Sequence, residues 1–171
     1  MGPISVETTI DAPRERVIEV ISDLSIRPSY TDHFIHSYRL ERIEPRGMGA
    51  AARFRTGRRG ARTWMDTAIE HVEPPHKISE RGTFGHLNRN EAMTVWELEE
   101  GPGAVTTVRL TFWTKPANPI ERVRELLTLS GPWYRRHWKR ALRRLGEVVE
   151  GERPATPLKV AGGDRAFTGV P

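Results

Sequence analysis

The chain has 171 residues, of which 37% are hydrophobic and 29% are charged, a composition typical of one soluble globular domain rather than two. No apolar run approaches the roughly 20 residues that a membrane-spanning helix needs, and the start of the chain lacks the pattern of a signal peptide. Because there is no cysteine, disulfides, thiolate metal sites and thiol nucleophiles are excluded. We therefore expect a single cytoplasmic domain with no transmembrane segment.

The charge balance is mildly basic. Lys and Arg number 27 against 22 Asp and Glu, which gives a net charge of +5. A dedicated nucleic-acid binder concentrates its surplus in one stripe interleaved with aromatic residues. A nucleic-acid or ribosomal partner is therefore the least favoured of the functions considered below.

The first 34 residues predict one strand and two short helices. Residues 4–10 contain β-branched side chains in a period-two pattern, which predicts a strand. Asp11-Ala12-Pro13 starts a helix over 13–23, since proline costs no hydrogen bond in the first turn. Arg27-Pro28 ends it because the residue before proline avoids the helical conformation, and residues 29–34 predict a further helical turn.

Turn signals rich in glycine and proline separate strand-like runs between Ile35 and Lys115. Their spacing indicates an antiparallel meander of six strands. The predicted strands lie near 35–44, 50–56, 61–73, 77–84, 90–99 and 104–115.

The longest helical pattern follows two prolines, with apolar residues stepping by three or four from Ile120 to Val148. Gly131-Pro132 lies inside it, and an internal proline removes a backbone hydrogen bond, so we expect a kink or a short break there. From Gly151 onwards three prolines and four glycines occur without periodicity, which predicts a disordered tail over 151–171. The folded domain is thus expected to cover residues 1–150.

The turn at residues 101–103 allows the last hairpin to be registered. We expect Leu98 to face Thr106 and Trp96 to face Val108, which leaves one side of the hairpin without charge. A curved sheet with such a face needs the C-terminal helix as its cover. Small inward residues would leave a cavity between them, and the alternative is that side chains fill this space completely. The expected lining of the cavity is Trp96, Phe84, Phe112, Met65 and Tyr134.

Four stretches carry a family resemblance. They are Thr9-Ile10-Asp11-Ala12-Pro13 with Val17, Val72-Glu73-Pro74-Pro75-His76-Lys77, Val95-Trp96-Glu97-Leu98, and the segment from Trp138 to Leu145. In this order the chain resembles, over residues 4–150, the START-like superfamily of helix-grip proteins, also called SRPBCC, and its polyketide cyclase/dehydrase and lipid-transport branch. The resemblance implies an α+β helix-grip fold, in which a seven-stranded antiparallel curved sheet wraps around a long C-terminal helix, with two short helices after the first strand.

The resemblance also implies a hydrophobic tunnel for lipids, polyketides, sterols or other apolar molecules. We therefore expect a hydrophobic small molecule to bind between sheet and C-terminal helix, with no cofactor and no metal. Tyr30 departs from the tryptophan that many relatives have at this point. The expected ligand-binding residues are Tyr30, Phe34, Met65, Thr67, Ile69, Phe84, Thr94, Trp96, Val108, Leu110, Phe112, Leu127, Tyr134 and Trp138.

A polyketide cyclase or dehydratase acting in the same cavity is the alternative. It would need a proton acceptor, a proton donor and a group that stabilises an enolate. The family has no universal catalytic motif. Glu80 lies on the inward face if residue 69 pairs with 80, and Tyr30 and Tyr134 are candidate proton donors. The competing interpretation of Glu80 is a strand-end carboxylate in water, while Arg81 is expected to pair with Asp66 on the convex face.

The remaining candidate binding residues are histidines, as possible metal ligands, and arginines, as possible contacts for an anion. His33 and His36 straddle a helix-to-strand boundary, so we expect surface histidines rather than metal ligands. The helical arginines lie opposite an apolar stripe, as expected of a solvated face, and the open alternatives are anionic lipid headgroups, an acidic partner such as an acyl carrier protein, or RNA. The two basic clusters are Arg135, Arg136, Lys139, Arg140, Arg143 and Arg144 on the helix, and Arg53, Arg55, Arg58, Arg59 and Arg62 around a turn.

Overall fold

The computed structural model describes residues 1–120, 122–123 and 130–158. Strands and helices follow the predicted order closely, with strand ends that differ by a few residues at most. The elements are β1 Ile4–Ile10, α1 Arg14–Ser22, α2 Pro28–Thr31, β2 Ile35–Leu40, β3 Ala51–Thr56, β4 Thr63–Glu73, β5 Lys77–Phe84, β6 Asn90–Glu100, β7 Thr106–Lys115 and α3 Ser130–Val149.

The seven strands form one antiparallel sheet in the order β1-β7-β6-β5-β4-β3-β2. Only β1 leaves the chain order, and it pairs along β7 from Ile4 opposite Phe112 to Ile10 opposite Thr106. The helix α3 packs against β1 and α2. This is the predicted fold class, a curved antiparallel sheet with a C-terminal helix and two short helices after the first strand.

Alternation of side chains along the strands produces the core. On β7, Val108, Leu110 and Phe112 are buried while the residues between them are partly exposed, and β6 shows the same period. The helix contributes a matching stripe that includes Leu142 and Leu145, both fully buried. Each such side chain stabilises the fold by about 1.5–3 kcal/mol through burial.

The register of the last hairpin differs from the prediction. Leu98 faces Val108 and Trp96 faces Leu110, two residues further along β7 than expected. The loop closes with the Gly101 amide donating to the Val105 carbonyl, so β7 begins later. Because the shift is an even number of residues, every side chain stays on its predicted face.

The described part of the C-terminal helix begins at Ser130, and Gly131 and Pro132 are helical within it. Residues 119, 120, 122 and 123 are helical as well. The continuity of the predicted long helix through 121 and 124–129, and the position of Leu127, lie outside the described residues. Within the described parts of the chain, no helix is long and apolar enough to cross a membrane.

Residues 151–158 lie against α2. The Thr156 amide donates to Ser29 Oγ at 3.1 Å, and the Leu158 amide donates to the Ser25 carbonyl at 3.0 Å. Arg153 also forms an ion pair with Asp32. The domain boundary at 150 stays a prediction, and the remainder of the predicted tail, 159–171, lies outside the described residues.

Candidate functional site

A buried ion pair lies between the sheet and the helices. Arg27, just before α2, donates from Nη1 and Nη2 to the two carboxylate oxygens of Glu80 on β5, each at 2.7 Å. Both side chains are only 2% exposed. A two-pronged pair of this kind fixes both side chains and is stronger than a hydrogen bond between neutral groups.

Further contacts saturate the Glu80 carboxylate. Its Oε1 also accepts a hydrogen bond from Trp96 Nε1 at 2.7 Å, and its Oε2 accepts one from Thr67 Oγ1 at 3.4 Å. Burial alone would lower the pKa of Arg27, but the charge of Glu80 holds that pKa above its ordinary value. With four donors, the carboxylate has no acceptor position left for a substrate proton.

The inward register that places Glu80 here is confirmed, since Ile69 faces Glu80. The competing interpretation, a carboxylate in water at a strand end, is wrong because the Glu80 side chain is buried and accepts hydrogen bonds from Arg27 and Trp96. From the sequence, Arg27 is predicted only to mark the end of a helix. No local pattern indicates that Arg27 is buried, and its partner is 53 residues away in the sequence.

The expected pairing of Arg81 with Asp66 is also wrong. Asp66 lies directly opposite Arg53 on the neighbouring strand and pairs with it at 3.3 Å. An irregularity in β4 between Ile69 and His71 shifts the register there, and Arg81 pairs with Glu70 at 3.0 Å.

A small interior space adjoins the ion pair, with a free volume of about 20 Å³. This is room for about one water molecule. Arg27, Glu80 and Thr56 contribute its polar lining. Seven of the predicted ligand-binding residues also line it: Phe34, Met65, Thr67, Thr94, Phe112, Tyr134 and Trp138.

The other predicted ligand-binding residues lie elsewhere. Five are buried in the core without lining the interior space: Tyr30, Ile69, Trp96, Val108 and Leu110. Phe84 lines an outer pocket at the edge of the molecule, and Leu127 lies outside the described residues. Trp96 therefore does not line the interior space, and its indole nitrogen donates a hydrogen bond to Glu80.

The outer pocket has a free volume of about 90 Å³ and shares Thr56 and Tyr134 with the interior space. The two spaces together are far smaller than the roughly 300–1,000 Å³ of a typical small-molecule site. The interior is smaller than the predicted cavity because aromatic side chains fill it. The Trp138 ring lies edge-on to Trp96, with 5.9 Å between the ring centres, and 5.1 Å separates the ring centres of Trp138 and Phe34. Tyr134 and Thr56 therefore lie at the border between the two spaces.

Four buried polar atoms in this region have no hydrogen-bond partner: Arg27 Nε, Tyr30 Oη, Thr56 Oγ1 and Trp138 Nε1. The Tyr30 hydroxyl lies near the Arg27 guanidinium without a well-aligned hydrogen bond to it. Burial raises the pKa of Tyr30, so this hydroxyl stays protonated at neutral pH. Arg27, Thr56 and Trp138 line the interior space, so a polar ligand group there would find donors without a partner.

Replacing Thr56 by valine is expected to leave the free energy of unfolding unchanged or to raise it by about 1 kcal/mol, since a buried hydroxyl without a partner is lost. Thr106→Val is the matched control, because Thr106 is fully buried and its Oγ1 donates to the Ala12 carbonyl at 2.6 Å. The control should lose about 1–2 kcal/mol in urea denaturation. Equal losses for the two variants would contradict the assignment of Thr56 as unsatisfied.

His33 lies in an aromatic cluster beside the site, where the expectation of a surface histidine is wrong. Its side chain is 6% exposed and its ring lies 4.9 Å from that of Phe34. Arg144 donates to Nδ1 at 3.0 Å, and Nε2 donates to the His137 carbonyl at 3.1 Å. Burial, followed by the charge of Arg144, lowers the pKa of His33 to about 4. Among the described residues no three metal-ligating side chains come together.

The lowered pKa predicts a loss of stability in acid. The unfolded chain takes up the His33 proton near pH 6.5 and the folded chain only near pH 4, so stability falls as the pH drops through this window. The cost should reach about 2–3 kcal/mol at the lower end. Urea denaturation of the wild type and of His33→Gln at several pH values isolates this contribution. The same pH dependence in both proteins would contradict it.

The curved sheet and the helix α3, with a partly polar interior between them, define a helix-grip protein of the START-like class. The chain belongs to the family "Polyketide cyclase / dehydrase and lipid transport", whose sequence profile matches residues 1–150. No curated protein matches the chain.

Solved structures with the same fold share little sequence with this chain. TTHA0849 from Thermus thermophilus is 20% identical, with a TM-score of 0.64, and the match covers 88% of this chain and 99% of that one. A START superfamily protein from Mycobacterium smegmatis is 15% identical, with a TM-score of 0.55, and the match covers 88% of this chain and 95% of that one. DynU16, a putative protein in the dynemicin biosynthetic locus, is 20% identical, with a TM-score of 0.59, over 90% of this chain and 49% of that one.

Proposed function

We propose that this protein binds one hydrophobic small molecule, lipid-like or polyketide-like, between the sheet and α3. The observation that carries the proposal is the interior space, which is walled by aromatic side chains, ends on the Arg27–Glu80 pair and meets the outer pocket at Thr56 and Tyr134. Apolar walls supply affinity and a few fixed polar groups supply orientation in such sites.

Ligand entry requires the two spaces to join. Tyr134 lies in the first part of α3, half-buried, with its ring 4.9 Å from that of Phe112. Moving this ring outwards opens the interior to the outer pocket. Burial of ligand hydrocarbon then contributes about 25 cal/mol per Å², before the costs of association.

The test is native mass spectrometry after mild purification, together with displacement of a fluorescent fatty-acid probe. We expect a single occupied site per chain and full displacement by an apolar competitor. A protein that carries no ligand and takes up no displaceable probe would contradict the proposal.

Catalysis as a cyclase or dehydratase is the second candidate, favoured by the Arg27 cation, which lines the interior space, and by the protonated Tyr30 hydroxyl beside this cation, although Tyr30 itself does not line that space. These two groups are of the kind that stabilises an enolate oxygen. The saturated Glu80 carboxylate does not suit the role of proton acceptor. Turnover of a polyketide-like β-diketone that is lost in Tyr30→Phe while probe binding persists would support catalysis, and the absence of turnover in the wild type would leave binding as the function.

The cytoplasmic location, and an anionic lipid or an acidic carrier protein as a partner, stay predictions. They bear on where the ligand comes from and not on the site itself.

A further inference from the structure

The convex face of the sheet carries a tryptophan surrounded by arginines. Trp64 on β4 is 38% exposed. The guanidinium carbons of Arg39, Arg53 and Arg55 lie 5.5, 5.2 and 5.8 Å from the centre of its indole ring. Each contact is within the range of a cation–π interaction, and the ring still offers part of its surface to solvent.

Strand pairing, rather than sequence proximity, builds this arrangement. Arg55 lies directly opposite Trp64, and Arg53 lies directly opposite Arg39. Like charges at directly facing positions destabilise a sheet. The fold therefore gathers positive charge around the exposed indole, although sheet pairing alone disfavours it.

Local carboxylates compensate only part of the charge. Arg39 pairs with Glu41 at 3.0 Å and Arg53 pairs with Asp66 at 3.3 Å. Within the part of the chain that the structure describes, Arg55 forms no ion pair.

The positive charge continues towards the β3–β4 turn. Besides burial, the charges of Arg62 and Arg55 lower the pKa of His36, which places both guanidinium groups near that ring. Arg62 lies in the loop immediately before β4, next to Thr63. The basic surface thus extends from the exposed indole to the end of the sheet.

We propose that the Trp64 face, which we define as Arg39, Arg53, Arg55, Arg62 and Trp64, binds a short single-stranded nucleic acid. A base stacks on the exposed part of the indole, and the arginines contact the neighbouring phosphates. Stacking platforms within a basic surface are the common device of proteins that bind single strands. A nucleic-acid binder is expected to carry a stripe of basic residues interleaved with aromatic ones. No such stripe is visible in the sequence, but folding brings these arginines together around Trp64.

An acidic peptide fits this surface less well. Its carboxylates would pair with the guanidinium groups, but it supplies no regularly repeated flat ring for the exposed indole. A single strand supplies a phosphate and a flat base with every nucleotide. The Trp64 face lies on the opposite side of the sheet from the interior space, so this proposal is independent of ligand binding there.

The test is fluorescence anisotropy with labelled oligo-U and oligo-dT of about ten nucleotides. Contacts to about three phosphates predict a roughly twentyfold fall in affinity between 50 and 200 mM salt. Trp64→Leu should weaken binding about tenfold, whereas Trp64→Phe retains most of the affinity. Arg55→Gln should weaken binding several-fold and flatten the salt dependence.

Arg136→Gln is the matched control, since it removes one exposed positive charge from α3 and should change the affinity less than twofold. Three results would overturn the proposal: no binding at low salt, an equal loss in Arg136→Gln and Arg55→Gln, or binding of polyglutamate or phosphatidylglycerol vesicles as tight as that of oligo-U and equally dependent on Trp64. If Trp64→Leu fails to fold, Trp64→Phe and Arg55→Gln still decide the question.

Discussion

Replacing Glu80 by glutamine should lower the free energy of unfolding by about 3–5 kcal/mol, because it leaves the Arg27 charge buried without a counter-ion. The pair is 2% exposed on both sides, so solvent cannot replace the lost partner. For a domain of this size the loss corresponds to a melting temperature lower by roughly 10 °C. Thermal and urea denaturation at neutral pH measure both quantities.

Two further variants make this result specific. Glu70→Gln removes the partner of Arg81 in a pair whose side chains are 45% and 53% exposed, and it should cost less than about 1 kcal/mol. The double variant Arg27→Met with Glu80→Leu removes both buried charges and should recover much of the loss. If Glu80→Gln were as stable as the wild type, the Arg27–Glu80 pair would not be the buried floor described here.

Truncation of Trp138 to alanine is expected to have the other large effect. The side chain is 5% exposed and contacts Phe34, Trp96 and Phe112. Its removal should cost about 3–5 kcal/mol, since transfer energy is lost and a cavity remains. That cavity adjoins the interior space, so the variant should also bind small aromatic hydrocarbons such as naphthalene more tightly.

Trp133→Ala is the control for this experiment. Trp133 is only partly buried and lies at the edge of the same aromatic cluster. Its truncation should cost less than that of Trp138 and should not enlarge the interior. Equal losses in the two variants, or no gain in naphthalene binding by Trp138→Ala, would contradict the described packing. Urea denaturation and a naphthalene titration followed by calorimetry measure the two effects.

Sequence patterns predicted the fold because they are local. Proline and glycine turns set the strand order, and the turn at Pro74-Pro75 placed Glu80 opposite Ile69 correctly. The predicted register of the last hairpin was wrong by two residues. A glycine-rich turn is compatible with several loop lengths, and the alternation of apolar and polar residues determines only which face of the sheet each side chain occupies. The order of the elements therefore followed from local patterns and the fold class from the family resemblance, while the cross-strand partners in the last hairpin followed from neither.

The candidate site was less predictable because it depends on long-range contacts. Arg27 finds its partner 53 residues away, and no periodicity indicates that a charged residue next to Pro28 is buried. Trp96 appeared as a cavity wall, but its indole nitrogen donates to Glu80. The volume that remains in the interior depends on the rotamers of the aromatic side chains. The alternation of residues along a strand predicts which side chains point inwards, but it does not predict their rotamers.

The most direct test of ligand binding between sheet and helix is a probe titration with Thr56→Leu. Thr56 lines both the interior space and the outer pocket, so we expect a larger side chain there to obstruct the route by which a ligand passes from one to the other. Thr107→Leu, a change on the opposite face of β7, is the matched control. We predict one fluorescent fatty-acid site per wild-type chain, with an affinity at least tenfold lower in Thr56→Leu and unchanged in Thr107→Leu. Absent binding, or binding that Thr56→Leu leaves unchanged, would contradict the account.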